Sequence, residues 1–211
     1  MPTPQQLLQN NEQWAAKRKQ QNPGFFDRLS EQQHPKYMWI GCSDSRVPAN
    51  EIVGLNPGEI FVHRNIANQV HHTDLNCLSG VQYAVDVLKV EHIIVTGHYD
   101  CGGVEAAITS QHFGIVDNWI RGIRDNFHHH AAELQDLSPQ AMSDRMTELN
   151  VIKQVENLSH TRMVQNAWEK GRPLSIHGWV YRLGTGLIKN LNVSRHAAHD
   201  VEPIFRSVPR L

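Results

Sequence analysis

Two short segments of the 211-residue sequence carry thiols and an imidazole that could bind one metal ion. The first segment, residues 42–46, reads CSDSR, and the second, residues 98–103, reads HYDCGG. Cys42, His98 and Cys101 would give Zn²⁺ three protein ligands, whereas structural zinc is usually enclosed by four. A tetrahedral ion held by three ligands keeps its fourth position for water or an anion. The ligand set therefore predicts a catalytic type of zinc site, with one ion per chain.

Cysteines alone do not establish a metal site, because an isolated cysteine is most often a buried core thiol. Cys42 and Cys101 occur with His98, at His-x-x-Cys spacing and among glycines and polar residues, which favours a bound ion. Cys77 has no histidine or second cysteine at ligand spacing, so we interpret it as a core residue. The histidine run at residues 128–130 lacks an acidic or thiol partner in the sequence, and we interpret it as a solvated surface patch.

Asp44 and Arg46 follow Cys42 at intervals of two residues. In an extended or turn segment this spacing can direct all three side chains to one side. A carboxylate so close to Zn²⁺ is either a ligand or is restrained by a cation, and Arg46 can restrain it through two parallel hydrogen bonds. The alternative is an ordinary surface ion pair, which would contribute little.

Short hydrophobic runs precede both metal-binding segments and predict buried strands at residues 37–40 and 92–96. In open α/β sheets, the loops at the carboxyl ends of the strands form the crevice where ligands bind. Between the two runs we expect a strand at residues 59–63 and a helix at residues 74–89.

The rest of the chain completes an α/β pattern. We expect helices from Gly103 to about Gly171, interrupted at Gly114, Gly122 and Ser138, then strands at residues 173–181 and 187–193. The predicted fold is a single α/β domain with a mostly parallel central sheet flanked by helices. It divides into an N-terminal helical arm (1–35), a zinc-binding core (36–193) and a C-terminal tail (194–211).

Composition argues against several partners and locations. With 20 basic and 21 acidic side chains the formal net charge is −1, so neither nucleic acid nor an anionic membrane is expected as a partner. The polar N-terminus does not read as a signal peptide, and no stretch approaches transmembrane length. Three cysteines, an odd number, suit a reducing compartment, so we expect a cytoplasmic protein.

Taken together, the motifs resemble the beta class of carbonic anhydrases, and bacterial members in particular. Cys-x-Asp-x-Arg at residues 42–46 precedes His-x-x-Cys-Gly-Gly at residues 98–103, with Pro-Gly-Glu, Arg-Asn and Tyr-Ala in between at residues 57–59, 64–65 and 83–84. The similarity covers about residues 14–193. It implies reversible hydration of CO₂ to bicarbonate and a proton by zinc-bound hydroxide.

The resemblance also assigns roles to residues. Zinc would be held by Cys42, His98 and Cys101, with Asp44 orienting the hydroxide and Arg46 keeping Asp44 off the metal. The substrate pocket would be formed by Gln33, Phe61, Ile66, Tyr83, Gly102 and Gly103. Family members often have Val in place of Ile66, and Asp100 is an acid that the family pattern does not predict.

Two further expectations follow from the resemblance. Members of the family form dimers that commonly pair into tetramers, so the N-terminal arm, with Leu7, Leu8 and Trp14, would pack on a partner subunit; packing on its own subunit is the alternative. Trp39, Arg64 and Tyr181 resemble the second, non-catalytic bicarbonate site of the type II subgroup. Bicarbonate there would favour a closed state in which Asp44 becomes the fourth zinc ligand. Alternatively, these three residues belong to the core and to a loop cap.

The sequence is also compatible with other functions. The same scaffold could hydrolyse carbon disulfide or carbonyl sulfide. A zinc- or bicarbonate-binding sensor without turnover would result if Asp44 closed the metal site permanently. A thiol redox protein fits less well, because Cys42 and Cys101 are 59 residues apart and His98 suits a metal better than a resolving thiol.

Overall fold

The computed structural model describes residues 1–31, 33–109 and 111–207. They belong to two compact units, Met1–His34 and Pro35–Leu211. The first unit consists of two helices, α1 (Pro4–Gln21) and α2 (Phe25–Glu31). Thr3 begins α1 with a capping box, in which its hydroxyl accepts from the Gln6 N–H and the Gln6 side chain accepts from the Thr3 N–H.

The second unit is built on one five-stranded sheet. Its strands are β1 (Tyr37–Cys42), β2 (Ile60–Asn65), β3 (His92–His98), β4 (Ser175–Arg182) and β5 (Leu187–Asn190). The spatial order is β2-β1-β3-β4-β5, with β1 to β4 parallel and β5 antiparallel. The predicted α/β class with a mostly parallel sheet is confirmed.

Helices connect the strands and cover the sheet. They are α3 (Ala49–Ile52), α4 (Leu75–Gln82), α5 (Gly102–Ile108), α6 (Ile115–Trp119), α7 (Arg121–His129), α8 (Ala131–Leu134), α9 (Pro139–Ser159) and α10 (Arg162–Glu169). The helix predicted at 74–89 begins after its N-cap Asp74 and continues as one π-helical turn, Tyr83–Val87. The interruption predicted at Gly122 is wrong, because this glycine lies inside α7.

Hydrophobic residues fill both faces of the sheet. On one face Ile40, Ile93 and Val180 pack with the buried sides of α4, α9 and α10. On the other face Trp39 and Ile94 pack with the segment around Val47. A third cluster, between α5, α7 and α9, encloses the zinc-ligand candidates on β1 and at the start of α5. None of the helices in the described residues combines the length and apolar character needed to cross a membrane.

The segment after β5 returns to the sheet. Arg195 forms an antiparallel bridge with Ile176 of β4, and Gln165 Nε2 donates to the Phe205 carbonyl at 2.9 Å. Residues 194–207 of the predicted tail are therefore attached to the second unit, and residues 208–211 lie outside the described residues.

Candidate metal centre

The three predicted ligands come together at the carboxyl end of the sheet. Cys42 is the last residue of β1, His98 is the last residue of the neighbouring parallel strand β3, and Cys101 is the N-cap of α5. Their ligand atoms all lie within 4.8 Å of one another, and the two Sγ atoms are 4.0 Å apart. Two thiolates on one tetrahedral zinc, each with a bond of about 2.3 Å, would be about 3.8 Å apart. The arrangement therefore fits zinc closely.

The orientation of His98 fits a metal as well. Its Nδ1 lies 2.9 Å from the Tyr99 carbonyl, which can only accept, so Nδ1 carries the proton. In the neutral ring Nε2 then has a free lone pair. Nε2 is buried and has no hydrogen-bond partner among the described residues. A buried polar atom of this kind needs a partner, and a metal-ligating histidine commonly donates its other N–H to a carbonyl.

The two thiols are electrostatically unequal. The hydrogen bond from Cys101, together with two backbone N–H groups, lowers the pKa of Cys42 despite its burial. The hydrogen bond to Cys42 and burial raise the pKa of Cys101. Without a cation the pair thus gives up its first proton easily and retains its second. A divalent cation would favour the loss of both protons, because thiolates rather than thiols ligate metals.

Asp44 and Arg46 form a two-point ion pair beside these ligands. Arg46 Nε donates to Asp44 Oδ1 at 2.9 Å, and Nη2 donates to Oδ2 at 2.7 Å. The Arg46 hydrogen bond holds the pKa of Asp44 well below its usual range. Asp44 Oδ2 is 3.7 Å from His98 Nε2, and Arg46 Nη2 also reaches the Asp100 carbonyl at 3.3 Å. The carboxylate is therefore next to the metal-binding atoms and is turned toward the arginine.

The three residues predicted for a second bicarbonate site lie on β1, β2 and β4, and β3 separates β4 from the other two strands. Trp39 and Tyr181 pack in the same cluster on one face of the sheet. Arg64 of β2 donates to the Cys42 carbonyl at 2.9 Å and to the Asp44 carbonyl at 2.5 Å. These bonds match the alternative expectation that Arg64 caps a loop. They also connect Arg64 directly to the segment that carries Cys42 and Asp44.

Four of the predicted pocket residues form two pairs in the second unit, and the two members of each pair are neighbours. The rings of Phe61 and Tyr83 are 5.9 Å apart. Gly103 lies against Ile66, and a Cβ at Gly103 would come within 2.9 Å of the Ile66 side chain, so a glycine is needed there. Gly102 has no such neighbour within 4 Å. Gln33 belongs to the first unit, and its place in the pocket stays a prediction.

In two regions outside the main site, the fold places neighbours that the sequence analysis did not expect. Cys77 is fully buried, as expected of a core thiol, and burial raises its pKa to about 12. However, the fold brings His63 and Asp74 within 4.8 Å of it, which the sequence spacing does not reveal. The histidine run at 128–130 does have an acidic partner, because His130 Nδ1 lies 3.3 Å from Glu133.

A metal does not suit the group around Cys77. The Asn65 amide is fixed by two bonds to the Gln69 backbone, of 2.7 and 2.8 Å, so its Nδ2 faces His63 Nε2 as a donor. Neutral His63 then carries its proton on Nδ1, the nitrogen that faces α4 across Gly80. A protonated nitrogen cannot ligate a cation, so the packing interpretation of Cys77 remains the better one.

Sequence patterns missed the groups that hold the ligands. The Tyr99 carbonyl fixes His98 Nδ1, and backbone N–H groups help to lower the pKa of Cys42. Backbone groups leave no side-chain signal in a sequence.

Comparison with known proteins identifies the family. Residues 37–188 match the family described as carbonic anhydrase. A carbonic anhydrase of Emericella nidulans is 47% identical over 192 residues, which cover 90% of this chain and 84% of the relative. A Coccomyxa beta-carbonic anhydrase in complex with acetazolamide has a TM-score of 0.90 and is 40% identical to this chain. The match covers 95% of this chain and 91% of the Coccomyxa chain.

One of two tetrameric beta-carbonic anhydrases from the filamentous ascomycete Sordaria macrospora has a TM-score of 0.87 and is 38% identical to this chain. The match covers 90% of this chain and 98% of the Sordaria chain. The expected match to bacterial type II members is not confirmed, since fungal relatives reach 47% identity. The family match and the identity over most of the chain nevertheless agree. This chain belongs to the beta-class carbonic anhydrase family.

Proposed function

We propose that this carbonic anhydrase hydrates CO₂ reversibly at a zinc ion held by Cys42 Sγ, His98 Nε2 and Cys101 Sγ. The observation that carries the proposal is the buried His98 Nε2, which faces two buried thiols and has no other partner among the described residues. When bound, zinc supplies a Lewis acid that lowers the pKa of a coordinated water to about 7.

Asp44 would orient the attacking oxygen. With its pKa lowered by Arg46 it stays a carboxylate, so it only accepts hydrogen bonds. A nucleophile near His98 Nε2 can donate an O–H to Asp44 and thereby direct its lone pair toward CO₂. Arg46 holds both carboxylate oxygens, which keeps Asp44 from becoming a ligand itself.

The predicted apolar pocket residues suit an apolar substrate. Ile66 and Tyr83 are 39% and 43% exposed in the single chain, so their side chains are open to a ligand or to another subunit. CO₂ has no charge to pair and needs little more than a dry, shaped slot. Phe61, next to Tyr83, would add to that slot, and Gln33 is proposed to complete it.

We further propose that the protein is a homodimer or homotetramer and is located in the cytoplasm. β2 is an edge strand of the sheet, and Val62 on it is 37% exposed. An exposed apolar sheet edge is a common site of pairing with another chain. The Sordaria proteins are described as tetrameric. Three free thiols suit a reducing compartment.

Cysteine replacements test the metal proposal. We expect about one zinc per chain in the natural protein and in Cys77→Ser, and loss of zinc in Cys42→Ser and Cys101→Ser, because a hydroxyl is a far poorer donor than a thiolate. Elemental analysis measures the zinc content per chain after weakly bound metal has been removed. A stopped-flow assay measures the rate of CO₂ hydration.

Cys77→Ser is the matched control, because it makes the same change at another buried thiol. We expect it to lower the free energy of unfolding by about 1–3 kcal/mol through an unpaired hydroxyl, with metal and activity kept. A natural protein without zinc, or a Cys77→Ser protein that loses it, would contradict the ligand assignment. Zinc without turnover would instead favour the sensor.

A further inference from the structure

The loop between two of the proposed zinc ligands depends on the orientation of one peptide plane. The hydrogen bond from His98 Nδ1 to the Tyr99 carbonyl, at 2.9 Å, joins neighbouring residues. Such a local bond forms only in a narrow range of Tyr99 ψ, because rotation of the peptide plane turns the carbonyl away from the ring. The next residue, Asp100, has a left-handed φ of 58°, which is uncommon for a non-glycine residue. Since Cys101 follows, this plane affects the placement of both His98 and Cys101.

Tyr99 is anchored through both its backbone and its side chain. Its N–H donates to the Tyr181 carbonyl of β4 at 3.0 Å. The residue is only 3% exposed, and its hydroxyl donates to Glu148 Oε1 of α9 at 2.7 Å. Arg182 Cζ lies 3.8 Å from the centroid of the Tyr99 ring, which is within the range of a cation–π interaction. The N–H, the ring and the hydroxyl of Tyr99 therefore each have a partner.

Glu148 is the centre of a charged cluster. Its side chain is 12% exposed, and its carboxylate also accepts from Lys189 Nζ at 2.6 Å and from Arg145 Nη1 at 3.1 Å. Arg182 is fixed by Asp144 Oδ2 at 2.9 Å. A largely buried ion pair is weak evidence for stability, because an apolar side chain could fill the same space without a polar partner. The position of this cluster next to the loop that carries two ligand candidates points instead to a positioning role.

We propose that the Tyr99 side chain and Glu148 are positioning residues for the metal centre, which keep the Tyr99 carbonyl in place to accept the His98 Nδ1–H. A carbonyl that accepts from one ring nitrogen fixes the tautomer and orientation of the ring and makes the other nitrogen a stronger metal ligand. Loosening this carbonyl should therefore weaken metal binding. Changes to such outer partners typically cost about 10- to 100-fold in metal affinity or activity. The inference rests on the proposed zinc site, because His98 must be a ligand for its orientation to matter.

Two variants remove the bond between the phenol and the carboxylate from either end. Tyr99→Phe removes the hydroxyl and keeps the ring, and Glu148→Leu removes the acceptor. Tyr99→Phe leaves Glu148 with both of its cations, so it keeps the test valid if Glu148→Leu does not fold. Tyr37→Phe is the matched control. It makes the same change at the first residue of β1, where the Tyr37 ring stacks on His92 with centroids 5.4 Å apart.

The readouts are the hyperfine-shifted proton NMR signal of the His98 Nδ1–H in the Co²⁺-substituted protein, the rate of zinc loss to a chelator, and Tm. With a single histidine ligand, one exchangeable signal of this kind is expected. In Tyr99→Phe and Glu148→Leu we expect the signal to shift and to exchange faster with solvent, and zinc loss to become about 10-fold faster or more. Tyr37→Phe should change neither the signal nor the rate.

An unmoved signal together with an unchanged rate of zinc loss, in either Tyr99→Phe or Glu148→Leu, would overturn the inference even if Tm fell, because the cluster would then serve stability alone. A natural protein that binds neither Zn²⁺ nor Co²⁺ would overturn the zinc proposal itself, and the inference with it.

Discussion

At the scale of single residues, the candidate metal site depends on the neighbours that hold its ligand atoms and the Asp44 carboxylate. Cys42, His98 and Cys101 follow from residue type and spacing, because strands that end at the same sheet edge bring their last residues together. The tautomer of His98 depends on the Tyr99 carbonyl, and that bond is a property of the folded backbone. Arg46 holds the Asp44 carboxylate beside the ligand atoms through two hydrogen bonds, a geometry that the sequence spacing allows but does not require.

Replacing Arg46 by Ala tests the role of this pair. Without Arg46 the pKa of Asp44 is no longer lowered by that hydrogen bond, but a carboxyl group is ionised at neutral pH, so the freed Asp44 can ligate the metal itself. We therefore expect CO₂ hydration to fall roughly 100-fold, comparable to the loss of a positioned proton acceptor, with zinc content unchanged. Stopped-flow assay and elemental analysis on the same samples measure both.

The matched control for this change is Arg121→Ala. Arg121 pairs with Asp125 at 3.2 Å on the exposed surface of α7, where an ion pair contributes little. Its removal should leave activity unchanged. If Arg46→Ala also retained full activity, the Asp44 pair would be an ordinary surface ion pair like this one.

At the scale of elements, hydrophobic runs predicted the parallel strands well, and the connecting turns poorly. β1 and β3 were predicted because buried parallel strands are nearly continuous apolar runs. Both extend two residues further than predicted and so include Cys42 and His98 themselves. The turn after β2, where Ala67 has a left-handed φ of 59°, was not predicted, and its Ala67 carbonyl accepts from Asn150 Nδ2, 83 residues away in the sequence. Interactions over such separations leave no local signal.

Helix α1 supports a prediction about assembly. None of its residues is buried in the single chain, and Leu7 and Leu8 are 54% and 63% exposed. If this arm packs on a partner subunit, replacing both leucines by glutamine should shift the protein to a smaller oligomer. Gln and Leu have similar helix propensities, so α1 itself should persist. Light scattering coupled to size exclusion measures the mass.

Gln9→Ala on the same helix is the control, and it should leave the oligomer unchanged. An unaltered mass in the Leu7→Gln, Leu8→Gln protein would indicate that the arm packs on its own subunit or contributes nothing to assembly. Zinc content should be the same in all three proteins, because every proposed ligand lies in the second unit.

At the scale of the whole molecule, Arg64 connects two regions with separate proposed roles. Its side chain bonds to the carbonyls of Cys42 and Asp44, at the metal centre. It also belongs to the proposed bicarbonate site with Trp39 and Tyr181, which pack on one face of the sheet. An anion that attracted the guanidinium would weaken its hold on the segment that carries Asp44. A ligand shifts such an equilibrium only through its different affinity for the two states.

We predict that bicarbonate at this second site inhibits the enzyme by favouring a closed state in which Asp44 ligates zinc. Hydroxide competes with the Asp44 carboxylate for the same position, so opening releases a proton from water. Raising the pH should therefore favour the active state, and lowering it the closed state. Activity should rise with pH more steeply than a single titration allows, and bicarbonate should inhibit most at low pH. Stopped-flow pH profiles with and without bicarbonate measure both effects.

Three conservative variants decide whether these residues bind bicarbonate. Trp39→Phe removes the indole N–H and Tyr181→Phe removes the hydroxyl, each keeping a ring in the core. A hydrogen bond to a charged group contributes about 1.5–3 kcal/mol, so each change should weaken bicarbonate inhibition about tenfold or more. Trp179→Phe, at a neighbouring indole on the same face, is the control and should leave inhibition unchanged. A single-proton pH profile, with bicarbonate sensitivity equal in all three variants, would assign Trp39 and Tyr181 to the core and Arg64 to the loop cap.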